Sequence, residues 1–107
     1  MIYKFKSKAA GDVIMMGPSG DQVLRAIGRE PAPKGIFEPA EMPAAVAAIE
    51  RAIADDEAAR KRAEQEAAAE GKKLAPRDVV SLRQRAWPLV EMMKRASAEG
   101  QNIVWGV

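Results

Sequence analysis

The chain has 107 residues, of which 48% are hydrophobic and 30% are charged, and this balance predicts one globular domain spanning residues 1–107. Neither cysteine nor histidine occurs. Disulfides, zinc sites built from those residues, histidine-based catalytic triads and Cys–His nucleophiles are therefore excluded. The 17 basic and 15 acidic residues leave a net charge of only +2, so the long-range field that would attract nucleic acid is weak.

The first eight residues alternate between apolar and lysine side chains and lack the apolar stretch of a secretion signal. No stretch approaches the ~20 apolar residues that a transmembrane helix needs. We therefore expect a cytoplasmic protein that does not bind a membrane.

The N-terminal segment predicts a strand over residues 2–6, because its aromatic side chains fall on one face and Lys4 and Lys6 on the other. A turn is expected at residues 9–12. The apolar run at residues 13–16 is compatible with a second strand, paired with the first as a hairpin, or with a single helical turn. Four residues are too few for periodicity to decide, and we favour the strand.

Residues 17–20, Gly-Pro-Ser-Gly, interrupt the pattern, and a short helix is predicted over residues 21–27 with Gly28 as its C-terminal stop. Glycines before a helix can bind phosphate through free backbone N–H groups. The phosphate-binding loop, however, needs Lys-Ser or Lys-Thr after its second glycine, and Asp-Gln stands there. We interpret the segment as a turn in which Ser19 or Asp21 caps the helix.

A short extended piece is predicted at residues 36–37, and a long helix from about Ala40. The apolar residues of this helix are spaced four, three and four apart, which places them on one face; they are Met42, Val46, Ile49 and Ile53. Beyond them the chain is rich in Ala, Glu, Lys and Arg. We interpret residues 54–76 as a charged helical extension followed by a connector, and the sequence leaves open whether residues 54–70 form an ordered helix.

A second long helix is predicted over residues 77–99. Its apolar residues follow the alternating three-and-four spacing of a coiled coil; they are Val79, Leu82, Ala86, Leu89, Met93 and Ala96. Val80, Trp87 and Val90 widen this stripe. Because the spacing continues past Pro88, we expect the proline to kink the helix rather than end it.

The closing residues 103–107 predict a strand by composition, and we expect both chain ends to lie in one sheet. The predicted fold is α+β: a small, mostly antiparallel sheet with N- and C-terminal strands, packed on a long helical hairpin plus one short helix.

Three blocks of the sequence resemble a bacterial family known as domain of unknown function number 1840. They are MIYKFKSKAAGDVIMMGPSGDQVLRAIG, KGIFEPAEMPAAVAAIERAI and DVVSLRQRAWPLVEMMKRASAEGQNIVWGV. The blocks cover most of the chain except residues 54–76. The resemblance implies a small stand-alone bacterial protein and supplies no activity, cofactor or catalytic residue.

No pattern in the sequence predicts a catalytic, cofactor-binding or metal site, and we expect no bound cofactor. Two sets of residues are candidates for contact with a partner. Basic residues would form a surface for an anionic partner if they converge; they are Lys4, Lys6, Arg83 and Arg85. Apolar residues of the last helix form either a helix interface or the core; they are Val79, Leu82, Trp87, Leu89 and Met93.

Three functional hypotheses follow. The first is a non-enzymatic interaction or assembly protein that forms a homodimer, because the stripe of the last helix is wider than the other helix can cover alone. The second is a nucleic-acid or ribosome-associated accessory factor that uses the basic residues. The third is an enzyme, which would require Asp78 or Glu91 in a cleft beside Tyr3 or a lysine.

Overall fold

The structure, a computed structural model, describes residues 2–72 and 81–106. An antiparallel four-stranded sheet, in the order β2-β1-β4-β3, carries three helices. In chain order the elements are β1 (Ile2–Ser7), β2 (Ala10–Met16), α1 (Gly17–Ile27), β3 (Gly35–Phe37), α2 (Met42–Ala69), α3 (Leu82–Glu99) and β4 (Ile103–Trp105). The predicted α+β class is confirmed, and so is the expectation that strands from both ends of the chain share one sheet.

The first two strands form the predicted hairpin. Tyr3 and Phe5 of β1 are buried, and they pair with Met15 and Val13 of β2. Strand β2 begins at Ala10, however, so the turn is shorter than the predicted residues 9–12. The pairing register shifts between Phe5 and Ser7, because β2 has one more residue than β1 between the pairs Phe5–Val13 and Ser7–Ala10. A bulge in β2 accommodates this extra residue.

Helix α1 begins at Gly17, earlier than predicted, and includes the Gly-Pro-Ser-Gly segment that was expected to be a turn. The proline stands in the first turn, where its missing N–H costs nothing. Met16 is the N-cap and makes no side-chain cap, so the prediction of Ser19 or Asp21 as cap is wrong. Gly28 ends the helix as predicted, with a left-handed φ of 94° that suits glycine.

Helix α2 follows a 3₁₀ turn at Pro39–Glu41 and continues as helix to Ala69. The predicted apolar residues Met42, Val46, Ile49 and Ile53 are all buried. The helix continues to Ala69, well past Ile53, although its exposed part buries no face. A high content of strong helix formers and an Arg60–Glu64 ion pair of 3.0 Å support this part.

Helix α3 begins at Leu82, later than the predicted start near residue 77. Ser81 caps it: its hydroxyl accepts from the Gln84 N–H at 3.3 Å, and the Gln84 side chain accepts from the Ser81 N–H at 3.2 Å. The helix continues through Pro88 as predicted and ends at Gly100. The parts of the prediction that concern residues 77–80 lie outside the described residues.

A row of aromatic rings crosses the buried face of the sheet. The centroids of Tyr3 and Phe5 are 5.9 Å apart, those of Phe5 and Trp105 5.6 Å, and those of Phe37 and Trp105 5.1 Å. These distances are typical of favourable ring pairs. Arg29 covers the far end, with its guanidinium 4.5 Å from the Phe37 centroid and 2.7 Å from Glu41 Oε1. The row thereby joins β1, β4 and β3 into one core.

Tyr3 anchors the other end of this row to α1. Its hydroxyl donates a hydrogen bond to the Asp21 carboxylate. Gly20 lies so close beneath the ring that a Cβ at this position would overlap three of its carbon atoms. Glycine is therefore required at position 20 by a close approach between helix and strand.

We predict that Gly20→Ala lowers the free energy of unfolding by about 1–3 kcal/mol, because the added methyl group must displace a buried ring. Denaturant unfolding measures the change. Gly11→Ala is the control: a Cβ there meets nothing within 4 Å, so a change below about 0.5 kcal/mol is expected. Equal effects of both substitutions would contradict the close approach.

We also predict a loss of stability above pH 10. Burial, followed by the hydrogen bond to Asp21 and the negative charge of Asp21, raises the pKa of Tyr3 from 10.0 to about 12, and Arg25 opposes the shift. Because the pKa is higher in the folded state, this contribution is fully present below pH 10 and is lost as the pH rises toward 12.

Tyr3 is the only tyrosine in the chain, so its ionisation can be followed by ultraviolet absorbance without ambiguity. Between about pH 10 and pH 12, the free energy of unfolding of Tyr3→Phe should fall less with rising pH than that of the unchanged protein. A phenol that titrates near pH 10 in the folded protein would contradict the prediction.

Candidate functional site

The helices contact one face of the sheet, and the opposite face, called the outer face below, carries side chains that no described element covers. Alternation along β1 and β2 turns Tyr3, Phe5 and Met15 toward the helices. The side chains between them must point the other way. Ile36 of β3 also lies on the outer face, opposite Val104 of β4, and is 40% exposed.

Three large aliphatic side chains lie together on the outer face at the β1–β2 hairpin. Ile2, Ile14 and Met16, called the aliphatic cluster below, are 60%, 64% and 63% exposed. Ile2 stands directly opposite Met16, and Ile14 stands opposite Lys4 in the next pair along the same face. Contiguous exposed aliphatic side chains are typical of interaction surfaces.

The aliphatic cluster lies next to an open sheet edge. Strand β2 is outermost in the sheet, and no other described strand pairs with its outer side. The regular part of this edge, residues 13–16, contains no charge and no proline. Asp12, the residue before this part of β2, has its Oδ2 atom 3.6 Å from Lys4 Nζ.

A groove of about 700 Å³ follows the same edge between β2 and α3, lined by Ala10, Gly11, Val13, Pro88, Glu91, Met92, Lys94 and Arg95. Glu91 is thus close to a lysine, as the enzyme hypothesis required, but it is exposed in an open groove. Tyr3 is occupied elsewhere by Asp21, and Asp78 lies outside the described residues. No group of three acidic residues in the described ranges could hold a metal ion.

The predicted basic residues fall in two separate places. Lys4 and Lys6 lie on the outer face of β1, opposite Ile14 and Val104 respectively. Lys6 also lines a cleft of about 420 Å³ with Ser7, Lys8, Gln101, Asn102 and Val104.

Arg83 and Arg85 belong to the helical layer. Arg83 donates to both carboxylate oxygens of Glu57 on α2, at 3.1 and 2.8 Å, and these hydrogen bonds raise the pKa of Arg83. Arg85 reaches Ser19 at 3.3 Å. The structure therefore does not bring the two arginines together with Lys4 and Lys6.

The apolar residues proposed as a helix interface or core are mostly covered within the chain. Leu82, Leu89 and Met93 are buried, because α3 contacts both α2 and β2. Trp87 is half-exposed, with Lys94 Nζ 5.2 Å from its ring centroid. Val79 lies outside the described residues. The aliphatic cluster, in contrast, was missed by the sequence analysis, although Ile2, Ile14 and Met16 occupy strand positions where an exposed face should carry polar residues.

No helix in residues 2–72 and 81–106 is long and apolar enough to cross a membrane. Searches of the curated proteins and of the solved structures gave no significant match. A comparison with protein families matches residues 1–105 to the family described as Domain of unknown function (DUF1840). Since the match covers almost all of the sequence, the chain belongs to the DUF1840 family.

Proposed function

We propose that this protein is a non-enzymatic assembly module of the bacterial cytoplasm that binds a protein partner through its aliphatic cluster. The exposure of Ile2, Ile14 and Met16 is the observation that carries the proposal. The core formed by the described residues does not include these side chains, since both β1 and β2 bury their inward face against the helices.

The physical basis of the proposal is the hydrophobic effect. Burying one large aliphatic side chain stabilises a complex by about 1.5–3 kcal/mol before the costs of association. Three such side chains at neighbouring positions of one face would form the apolar centre of an interface, and the polar side chains of Lys4 and Asp12 would lie at its rim.

The proposal predicts that a photoreactive residue at position 14 forms covalent adducts with one protein partner in living cells. The control is the same photoreactive residue at position 51, because Arg51 is exposed on α2, in the helical layer rather than on the outer face of the sheet. Illumination, followed by mass spectrometry of the purified adducts, should give one discrete product from position 14 and none from position 51. No adduct at position 14, or the same mixture from both positions, would contradict the proposal.

A second candidate function is supported by the cleft between β1 and β4. Lys6 and Lys8 line it together with the amide side chains of Gln101 and Asn102, and these groups can bind phosphate oxygens. Lys4 lies on the same face as Lys6. The cleft therefore supports a nucleic-acid-associated accessory factor that uses the lysines of β1.

This candidate predicts that a labelled single-stranded RNA binds at about 50 mM salt and that its affinity falls steeply as the salt concentration rises. Lys6→Glu should weaken the binding at least tenfold by fluorescence anisotropy, whereas Lys61→Glu, on the exposed part of α2, should leave it unchanged. If no binding occurs at low salt, or if both substitutions act equally, nucleic acid is not the partner.

A further inference from the structure

We propose that the partner is a second copy of this chain, paired antiparallel along the outer edge of β2, so that two four-stranded sheets become one continuous eight-stranded sheet. This inference rests on the proposed assembly function and gives it a specific partner. Three features of the described residues support it: the contrast between the two sheet edges, the position of the aliphatic cluster, and the charges along α3.

The two edges of the sheet differ in how well they are protected against pairing. The β3 edge is only three residues long, and a short edge strand is one way in which proteins prevent edge-to-edge association. The β2 edge is seven residues long, and its bulge lies toward the Ala10 end. Residues 13–16 remain a regular, uncharged edge, and no described strand pairs with the backbone donors and acceptors on its outer side.

A two-fold axis near Ile14 would bring the Ile14 side chains of the two aliphatic clusters side by side, because paired residues of antiparallel strands share a face. In that register Val13 pairs with the partner's Met15 within the regular edge, and each Met16 lies toward the partner's Asp12, where the bulge begins. Face-to-face stacking of two outer faces would instead bring Lys4 and Lys6 of both copies toward each other. Charge therefore favours the edge contact over the stacked one.

The groove beside β2 carries charges of both signs, so a two-fold partner could place an opposite charge against each of them. It is lined by one acid, Glu91, and by two bases, Lys94 and Arg95. In a two-fold interface, each contact between residue i and residue j occurs twice. When two antiparallel copies of α3 face each other across the joined edge, Glu91 of one copy approaches the bases of the other, although Arg95 also has Glu99 at 4.0 Å in its own helix.

The first test is the solution mass by light scattering over a range of concentrations. The unchanged protein should have twice the 11.6 kDa mass of the chain. Ile14→Lys places two like charges opposite each other at the axis and should raise the dimer dissociation constant at least tenfold. Ile36→Lys, the same change on the same face at the other edge, should leave it unaltered, and circular dichroism should show both variants folded.

The second test exchanges the charges of the groove. Glu91→Arg alone, and Lys94→Glu with Arg95→Glu, should each dissociate more readily than the unchanged dimer. Mixed in equal amounts, the two variants should form a heterodimer more stable than either homodimer, measured by mass spectrometry with one variant isotopically labelled. A mixture with no preference for the heterodimer would overturn the proposed α3 contact.

The outcomes separate this inference from the assembly function. A dimer that resists Ile14→Lys, or is equally disrupted by Ile36→Lys, overturns the edge pairing and leaves assembly standing. A monomer whose position 14 crosslinks to a different protein also overturns the second copy as partner and leaves assembly standing. A monomer with no adduct at position 14 ends both proposals.

Discussion

The row of aromatic rings from Tyr3 through Phe5 and Trp105 to Phe37 is the contact on which the rest of this structure depends. Three of the four strands contribute to it, and all its rings point toward the helices. Each end makes a contact with a charged side chain: Tyr3 donates a hydrogen bond to Asp21, and the Arg29 guanidinium lies over the Phe37 ring in a cation–π contact. Because the strands contributing these rings are far apart in sequence, the row also joins the two ends of the chain.

A core built on one side of a sheet leaves the other side without a covering layer. An antiparallel sheet can tolerate this if its outer face is polar, and Lys4 and Lys6 follow that rule. Ile2, Ile14 and Met16 do not, and they are placed together at the open β2 edge rather than scattered over the surface. An exposed apolar cluster thus lies beside an edge with which no described strand pairs.

The exposed part of α2 is helical without packing an apolar face against the core. Beyond Ile53 it buries almost no apolar surface. Its residues favour helix by composition, and each ion pair between side chains four residues apart adds only about 0.2–0.5 kcal/mol. The bidentate contact between Arg83 and Glu57 ties its beginning to the first turn of α3. An arginine considered for binding an anionic partner thereby stabilises the helical hairpin.

The sequence alone determined the elements that have a clear period or a clear stop. The alternation in residues 2–6, the apolar spacing of Met42 to Ile53 and of Leu82 to Ala96, and the glycines at positions 28 and 100 gave the two hairpins and the α+β class, because these signals are local. The start of α1 was missed because Gly20 is required by the ring of Tyr3, a residue far away in the chain. Only the tertiary structure could decide that α2 and β2 are the elements that cover α3, that Arg83 and Arg85 lie apart from Lys4 and Lys6, and that Ile2, Ile14 and Met16 are exposed beside an edge strand. These facts depend on which elements pack together, and a period in the sequence shows which face of an element is apolar but not what covers that face.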